Sequence, residues 1–158
     1  MGYDRSMGPE PFVPPDFVAP TPPDSPLFRL EPLGPQHNDS DYEAWTSSLE
    51  HIRQTPGWPD GSWPDGRSID DNLRDLQRHA GDFEDRRGFT YTVLDPTTDD
   101  VIGCVYIYPD KAAPHRADVR SWVRASRAEL DVPLWRAVSR WLEDAWPFPD
   151  VAYAAREP

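Results

Sequence analysis

The stretch FTYTVLDPTTDDVIGCVYIYP, residues 89–109, decides how this chain folds. Its flanks, FTYTVLD (89–95) and VIGCVYIYP (101–109), are rich in β-branched and aromatic residues. Such side chains suit a pleated, half-buried surface. The link PTTDD is made of turn formers, so the pair reads as an antiparallel hairpin. Gly103 interrupts the second run, which marks a bulge or the close approach of another backbone. Cys104 beside it reads as a small buried hydrophobe, not a nucleophile. Of Tyr106 and Tyr108, one is expected in the core and the other at a cleft.

Downstream, ADVRSWVRA (117–125) reads as a third strand of this group. Asp131 is placed to cap a helix in which Leu134, Trp135, Val138, Trp141, Leu142 and Ala145 form a wide apolar stripe. Pro147 and Pro149 stop it, and VAYAA (151–155) is a short final strand, at an edge or as a parallel addition. Upstream, Ser68 is an N-cap with Asp70 and Asp71 in the first turn. Ile69, Leu73, Leu76, Ala80 and Phe83 then follow at spacings of 4, 3, 4 and 3, an amphipathic helix. It is expected to end at Arg86, Arg87 and Gly88.

Before that helix, TPGWPDGSWPDGR (55–67) is a loop, with proline and glycine at high density. Its tryptophans, Trp58 and Trp63, either cover the core edge or line a binding cleft. Asn38, Asp39 and Ser40 start a helix whose face is Tyr42, Trp45, Leu49 and Ile52. LFRLEPL (27–33) is a short strand. The order β-α-α-β-β-β-α-β is an α+β domain over residues 27–158. Residues 1–26 hold the segment GPEPFVPPDFVAPTPPDSP, and half of the 20 prolines lie before residue 36. Proline at that density gives an extended arm. It is either flexible or packed on the domain through Phe12, Val13, Phe17 and Val18.

Composition excludes several functions. There are 28 acidic against 16 basic residues, a net charge of -12, so phosphate backbones and anionic membranes are disfavoured partners. One cysteine permits no disulfide framework and no Cys-rich zinc site. His37, His51, His79 and His115 show no ligand spacing, so no metal is expected. No apolar run reaches the roughly 20 residues of a membrane span. No basic start leads into an apolar stretch. The cytoplasm is the expected location.

In this order and at these lengths, residues 27–156 resemble the GNAT N-acetyltransferase superfamily. The likeness rests on the 89–109 hairpin with its V-I-G second strand, on ADVRSWVRA, on the helix from Val132 to Trp146 and on VAYAA. It implies a mixed, mostly antiparallel sheet flanked by helices. It runs the pantetheine arm of acetyl-CoA beside 117–125, with Trp122, Val123, Arg124 and Arg127 as cofactor contacts. It sets the pyrophosphate at the N-terminus of the 132–146 helix, where free N–H groups and the dipole attract anions. Asp118 and Tyr106 become the candidate acid–base residues, and Trp58 and Trp63 the candidate substrate cleft.

Two departures stand out. The family's phosphate loop carries glycines, which let backbone N–H groups approach phosphate. Here VRASRAELDVPLW (123–135) has none, and Glu129, Asp131 and Pro133 stand at those positions. The sequence also stops soon after VAYAA, which reads as a shortened member. Against this, Arg116, Arg120, Arg124, Arg127, Arg136 and Arg140 form a basic island that suits phosphate.

Two functions follow. The first is transfer of an acetyl group from acetyl-CoA to an amine on a small molecule or peptide, with the acidic surface steering a cationic acceptor. The alternative is a catalytically inactive domain that binds another protein through the Trp58–Trp63 loop or the arm. The sheet edge after residue 151 would also invite a homodimer. An open helix N-terminus flanked by arginines marks the first function. A terminus filled by Glu129, Asp131 or Trp135 marks the second.

Overall fold

The computed structural model describes residues 11–58 and 67–156. Five strands form one sheet in the order β1-β2-β3-β4-β5. They are β1 (Arg29–Pro32), β2 (Phe89–Leu94), β3 (Val101–Pro109), β4 (Arg116–Val123) and β5 (Asp150–Tyr153). The first four run antiparallel, and β5 joins β4 in parallel. The helices are α1 (Asn38–Thr46), α2 (Leu49–Arg53), α3 (Ile69–Glu84) and α4 (Asp131–Ala145). None of the described helices is long and apolar enough to cross a membrane.

The hairpin forms as the sequence requires. Phe89 pairs with Ile107 and Val93 with Gly103, and a bulge follows between Val93 and Leu94. Gly103 answers a second need as well: a Cβ there would run into the Trp122 carbonyl on β4. Alternation along the strands builds two cores. Val105, Ile107, Val119 and Val123 meet Leu134, Val138, Trp141 and Leu142 of α4. Cys104 and Trp122 meet Ala44, Trp45, Ile52 and Leu76 from α1, α2 and α3 on the other face. Cys104 is fully buried, and desolvation pushes its thiol well above the ordinary range.

Several boundaries differ from the sequence reading. The first helix is broken in two at Ser47 and Ser48, so Trp45 and Ile52 sit on separate helices. Ser48 is used elsewhere: its Oγ accepts from the Ala125 N–H at 2.9 Å. α3 has the expected start, with Ser68 and Asp71 bonding each other's backbone N–H as a capping box. Its end is not at Gly88. Arg86 takes the left-handed conformation, φ 61°, and its Nε donates to the Phe17 carbonyl at 2.7 Å. Gly88 is instead overlain by the Tyr108 ring. Asp131 opens α4 without capping it, because its carboxylate turns to Arg156 at 2.9 Å. A 3-10 turn, Ala125–Leu130, separates β4 from α4.

The described part of the proline-rich arm lies on the α4-side core. Phe12 stacks on Phe148 at 4.7 Å, and Phe17 packs edge-on against Phe89 at 6.3 Å. Val13 is buried and Val18 faces solvent.

Candidate functional site

A cavity of about 1030 Å³ opens between α1, α3 and the β3–β4 part of the sheet. Tyr106 and Tyr108 both line it. Two residues apart on a strand, they share a face, so the expected division between core and cleft does not hold. Asp118 and Arg120 reach it from β4, and Trp58 reaches it from the loop after α2. Trp63 lies outside the described residues.

Several polar groups of the cavity are paired. Arg120 pairs with Asp118 at 3.2 Å and lies 5.7 Å over the Trp58 ring. Trp58 stands edge-on to Tyr106 at 5.6 Å. The Tyr106 hydroxyl accepts from Trp122 Nε1 at 3.0 Å, and burial pushes its phenol well above the ordinary range. The phenol is therefore protonated near neutral pH. His79 Nδ1 meets the Tyr108 hydroxyl at 2.8 Å and Thr90 Oγ1 at 3.0 Å. Desolvation lowers His79 to about 4, so the ring is neutral near pH 7.

The sequence reading missed Asp41. It lines the deep end of the cavity with Trp45, Asn72 and Leu76 and is 4% exposed. Desolvation raises its carboxyl to about 6. The signal was present in the spacing: Asp41 lies one turn before Trp45, hence on the buried face of the helix.

On the other side of β4 lies a split in the sheet. β5 pairs with β4 only from Arg116 to Val119, so the Ser121 main chain has no strand partner on that side. Side chains fill the space. Arg156 Nη2 donates to the Ser121 carbonyl at 2.7 Å, and Trp58 Nε1 donates to the same carbonyl at 3.0 Å. Arg156 also donates to the Ala154 carbonyl at 2.8 Å and to Asp131 at 2.9 Å, at the start of α4. Its side chain is 2% exposed. Tyr153 closes the group with a 2.7 Å contact to Ser121 Oγ.

No family model matches the sequence, and no curated protein matches it. Solved structures do. The ribosomal-protein-S5-alanine acetyltransferase from Vibrio fischeri superposes at TM-score 0.61 with 13% identity, over 80% of this chain and 69% of that one. The microcin C7 self-immunity acetyltransferase MccE, solved with acetyl-CoA and AMP, gives 0.56 and 12% over 75% and 62%. An acetyltransferase of the GNAT family from Streptococcus pneumoniae gives 0.50 and 12% over 73% and 65%. This chain has the GNAT fold. It spans 62–69% of the length of those three proteins, so about a third of each lies outside the match.

The GNAT fold implies acetyl-CoA, and the residues here do not fit it. The resemblance runs pantetheine beside β4, yet the Ser121 carbonyl already accepts from Arg156 and Trp58. It sets pyrophosphate at the start of α4, yet Asp131 places a carboxylate there, held by Arg156. Three N–H groups at the turn after β4 are already bonded within the chain. Arg124 N–H donates to Ile102, Arg127 N–H to Arg124 and Ala125 N–H to Ser48. The expected replacement for the glycine loop is also engaged. Arg124 bonds Glu43 at 2.7 Å and Arg127 bonds Asp95 at 2.8 Å, and each arginine draws its partner's carboxyl below the usual range. Trp122 and Val123 are buried on opposite faces of the sheet, which leaves only their backbone for any ligand. Four arginines of the basic island are thus ion-paired, with Arg116 facing Asp150 at 3.4 Å and Arg120 facing Asp118 at 3.2 Å as further cases. Among the described residues, no three His, Cys, Asp or Glu side chains gather as a metal ion would need.

Proposed function

We propose that this chain is a ligand-binding domain on the GNAT fold. Its ligand occupies the cavity between α1, α3 and β4, and the domain transfers no acetyl group while Arg156 holds the β4–β5 split. One observation carries this reading: the buried Arg156 guanidinium on the Ser121 carbonyl and the Asp131 carboxylate. A buried arginine with three acceptors is a stable occupant, since removing it strands a carboxylate. The test is release of free CoA thiol from acetyl-CoA over a panel of primary amines. The reading expects the uncatalysed rate with every amine. Saturable release above that rate overturns it.

A second reading is acetyl transfer from acetyl-CoA to an amine. The solved neighbours favour it, since they are acetyltransferases and one was solved with acetyl-CoA. It requires Arg156 to leave the split. Asp118 and Tyr106 are its acid–base candidates, and both line the cavity on the acceptor side of β4. Thiol release that rises on Arg156→Ala would favour this reading.

A further inference from the structure

Asp41 is the only buried acidic side chain among the described residues, and no arginine or lysine pairs with it. Two other carboxylates of the cavity have cationic partners: Asp75 pairs with Arg67 at 2.5 Å and Asp118 with Arg120 at 3.2 Å, while the less buried Asp110 accepts from the Ala112 N–H at 2.8 Å. Asp41 receives one hydrogen bond, from Asn72 Nδ2 at 3.1 Å. Asn72 cannot turn away. Its amide also donates to Asn38 Oδ1 at 2.9 Å, and its Oδ1 accepts from Trp45 Nε1 at 3.1 Å. The carboxylate is thus fixed at the floor of a cavity and lacks a counter-charge. An ionised group so placed is costly until a cation arrives.

The walls favour one kind of cation. Trp45, Trp58 and Tyr106 line the cavity with Leu33 and Leu76. Aromatic faces attract cations, and the aliphatic side chains accept an apolar body. Strongly hydrated inorganic ions gain little from such walls.

We propose that the cavity binds a small organic ammonium ion with an apolar body, that Asp41 is its counter-ion, and that Asn72 holds Asp41 in place. This rests on the cavity being the ligand site and does not depend on whether acetyl-CoA binds. The titratable groups that face Asp41 are His37 before α1, Asp75 on α3, and Cys104 and Tyr106 on β3. Burial keeps the thiol and the phenol neutral. With Asp41 near 6, the seat is largely ionised above neutral pH and fills with protons below it.

The experiment titrates the full chain with benzylammonium, benzyl alcohol and benzoate by calorimetry, with tryptophan fluorescence as a second readout. At about pH 7.5 benzylammonium is expected to bind about tenfold or more tightly than benzyl alcohol, and benzoate to bind more weakly than either. Asp41→Asn should bring the ammonium down to the level of the alcohol. Should that variant fail to fold, the wild type provides the same test, because the ammonium preference must shrink as the pH falls to about 5. Equal binding of ammonium and alcohol overturns the counter-ion role and leaves the cavity as a ligand site. No binding of any probe up to about 10 mM overturns both.

Discussion

The Arg156 guanidinium donates to the main-chain carbonyl of Ser121 at 2.7 Å and to the Asp131 carboxylate at 2.9 Å. These two bonds tie the segment after β5 to the middle of β4 and to the first residue of α4. They occupy the place where the parallel pair β4–β5 stops pairing. In the GNAT fold that is the region the resemblance assigns to the cofactor.

Arg156→Met should therefore destabilise the chain. It keeps most of the volume but leaves Asp131, 20% exposed, without its cation. Loss of one partner of a buried pair costs about 3 kcal/mol. Adding Asp131→Asn should recover about half of that, since both charges are then gone. Urea unfolding of the two single variants and the double variant measures the coupling. Additive losses would mean that the pair contributes nothing of its own.

Gly103→Ala should be costly for a simple steric reason. The new Cβ meets the Trp122 carbonyl, which is backbone and cannot rotate away. Overpacking of this kind costs about 1–3 kcal/mol, and more where the backbone must shift. Gly81→Ala is the control, because nothing lies near a Cβ at that position. It should be neutral or stabilising by about 1 kcal/mol, given the helix preference for alanine. Equal losses at both sites would contradict the close approach of β3 and β4.

Much of this was legible in the sequence, and the reasons are local. The hairpin, the register of α3 and the two cores follow from side-chain periods that burial enforces. Gly103 could be singled out because glycine has few reasons to sit in a strand. The break between α1 and α2 was not legible, because Tyr42, Trp45, Leu49 and Ile52 keep one helical face across it. The role of Arg156 was hidden for a different reason. Its partners are 35 and 25 residues away, and no local pattern joins them. The arginines of the basic island were visible, but Glu43 and Asp95, the acidic partners of Arg124 and Arg127, come from distant elements. Asp41 was missed, although its spacing from Trp45 places it on the buried face of α1.

Two buried groups of the cavity pull the pH dependence in opposite directions. Asp41 is raised from 3.8 to about 6, so between those values the folded chain holds a proton that the unfolded chain has lost. The stability this supplies disappears as pH rises through about 6. His79 is lowered from 6.5 to about 4, so its contribution disappears as pH falls through that window. Asp41→Asn removes only the first effect. The variant should gain about 2 kcal/mol relative to wild type between about pH 4.5 and about pH 7.5. Urea midpoints at the two pH values check this, and a pH-independent difference would contradict it.

The arm should count toward the core. A chain that begins at residue 27 loses Phe12, Val13 and Phe17 and uncovers Phe89 and Trp146. Burial of aromatic side chains on this scale is worth several kcal/mol, at about 2–3 kcal/mol for each fully buried ring. The truncated chain should unfold at lower urea and bind a hydrophobic dye. An unchanged midpoint would show that the arm packs without stabilising.

The most direct measurement is calorimetric titration of the full chain with acetyl-CoA and with free CoA, at low and at moderate salt. Closure of the split by Arg156 predicts no detectable heat of binding up to about millimolar ligand. Saturable binding at about micromolar strength, weakened by Arg124→Ala or Arg127→Ala, would contradict it. The split would then be a cofactor site from which Arg156 withdraws.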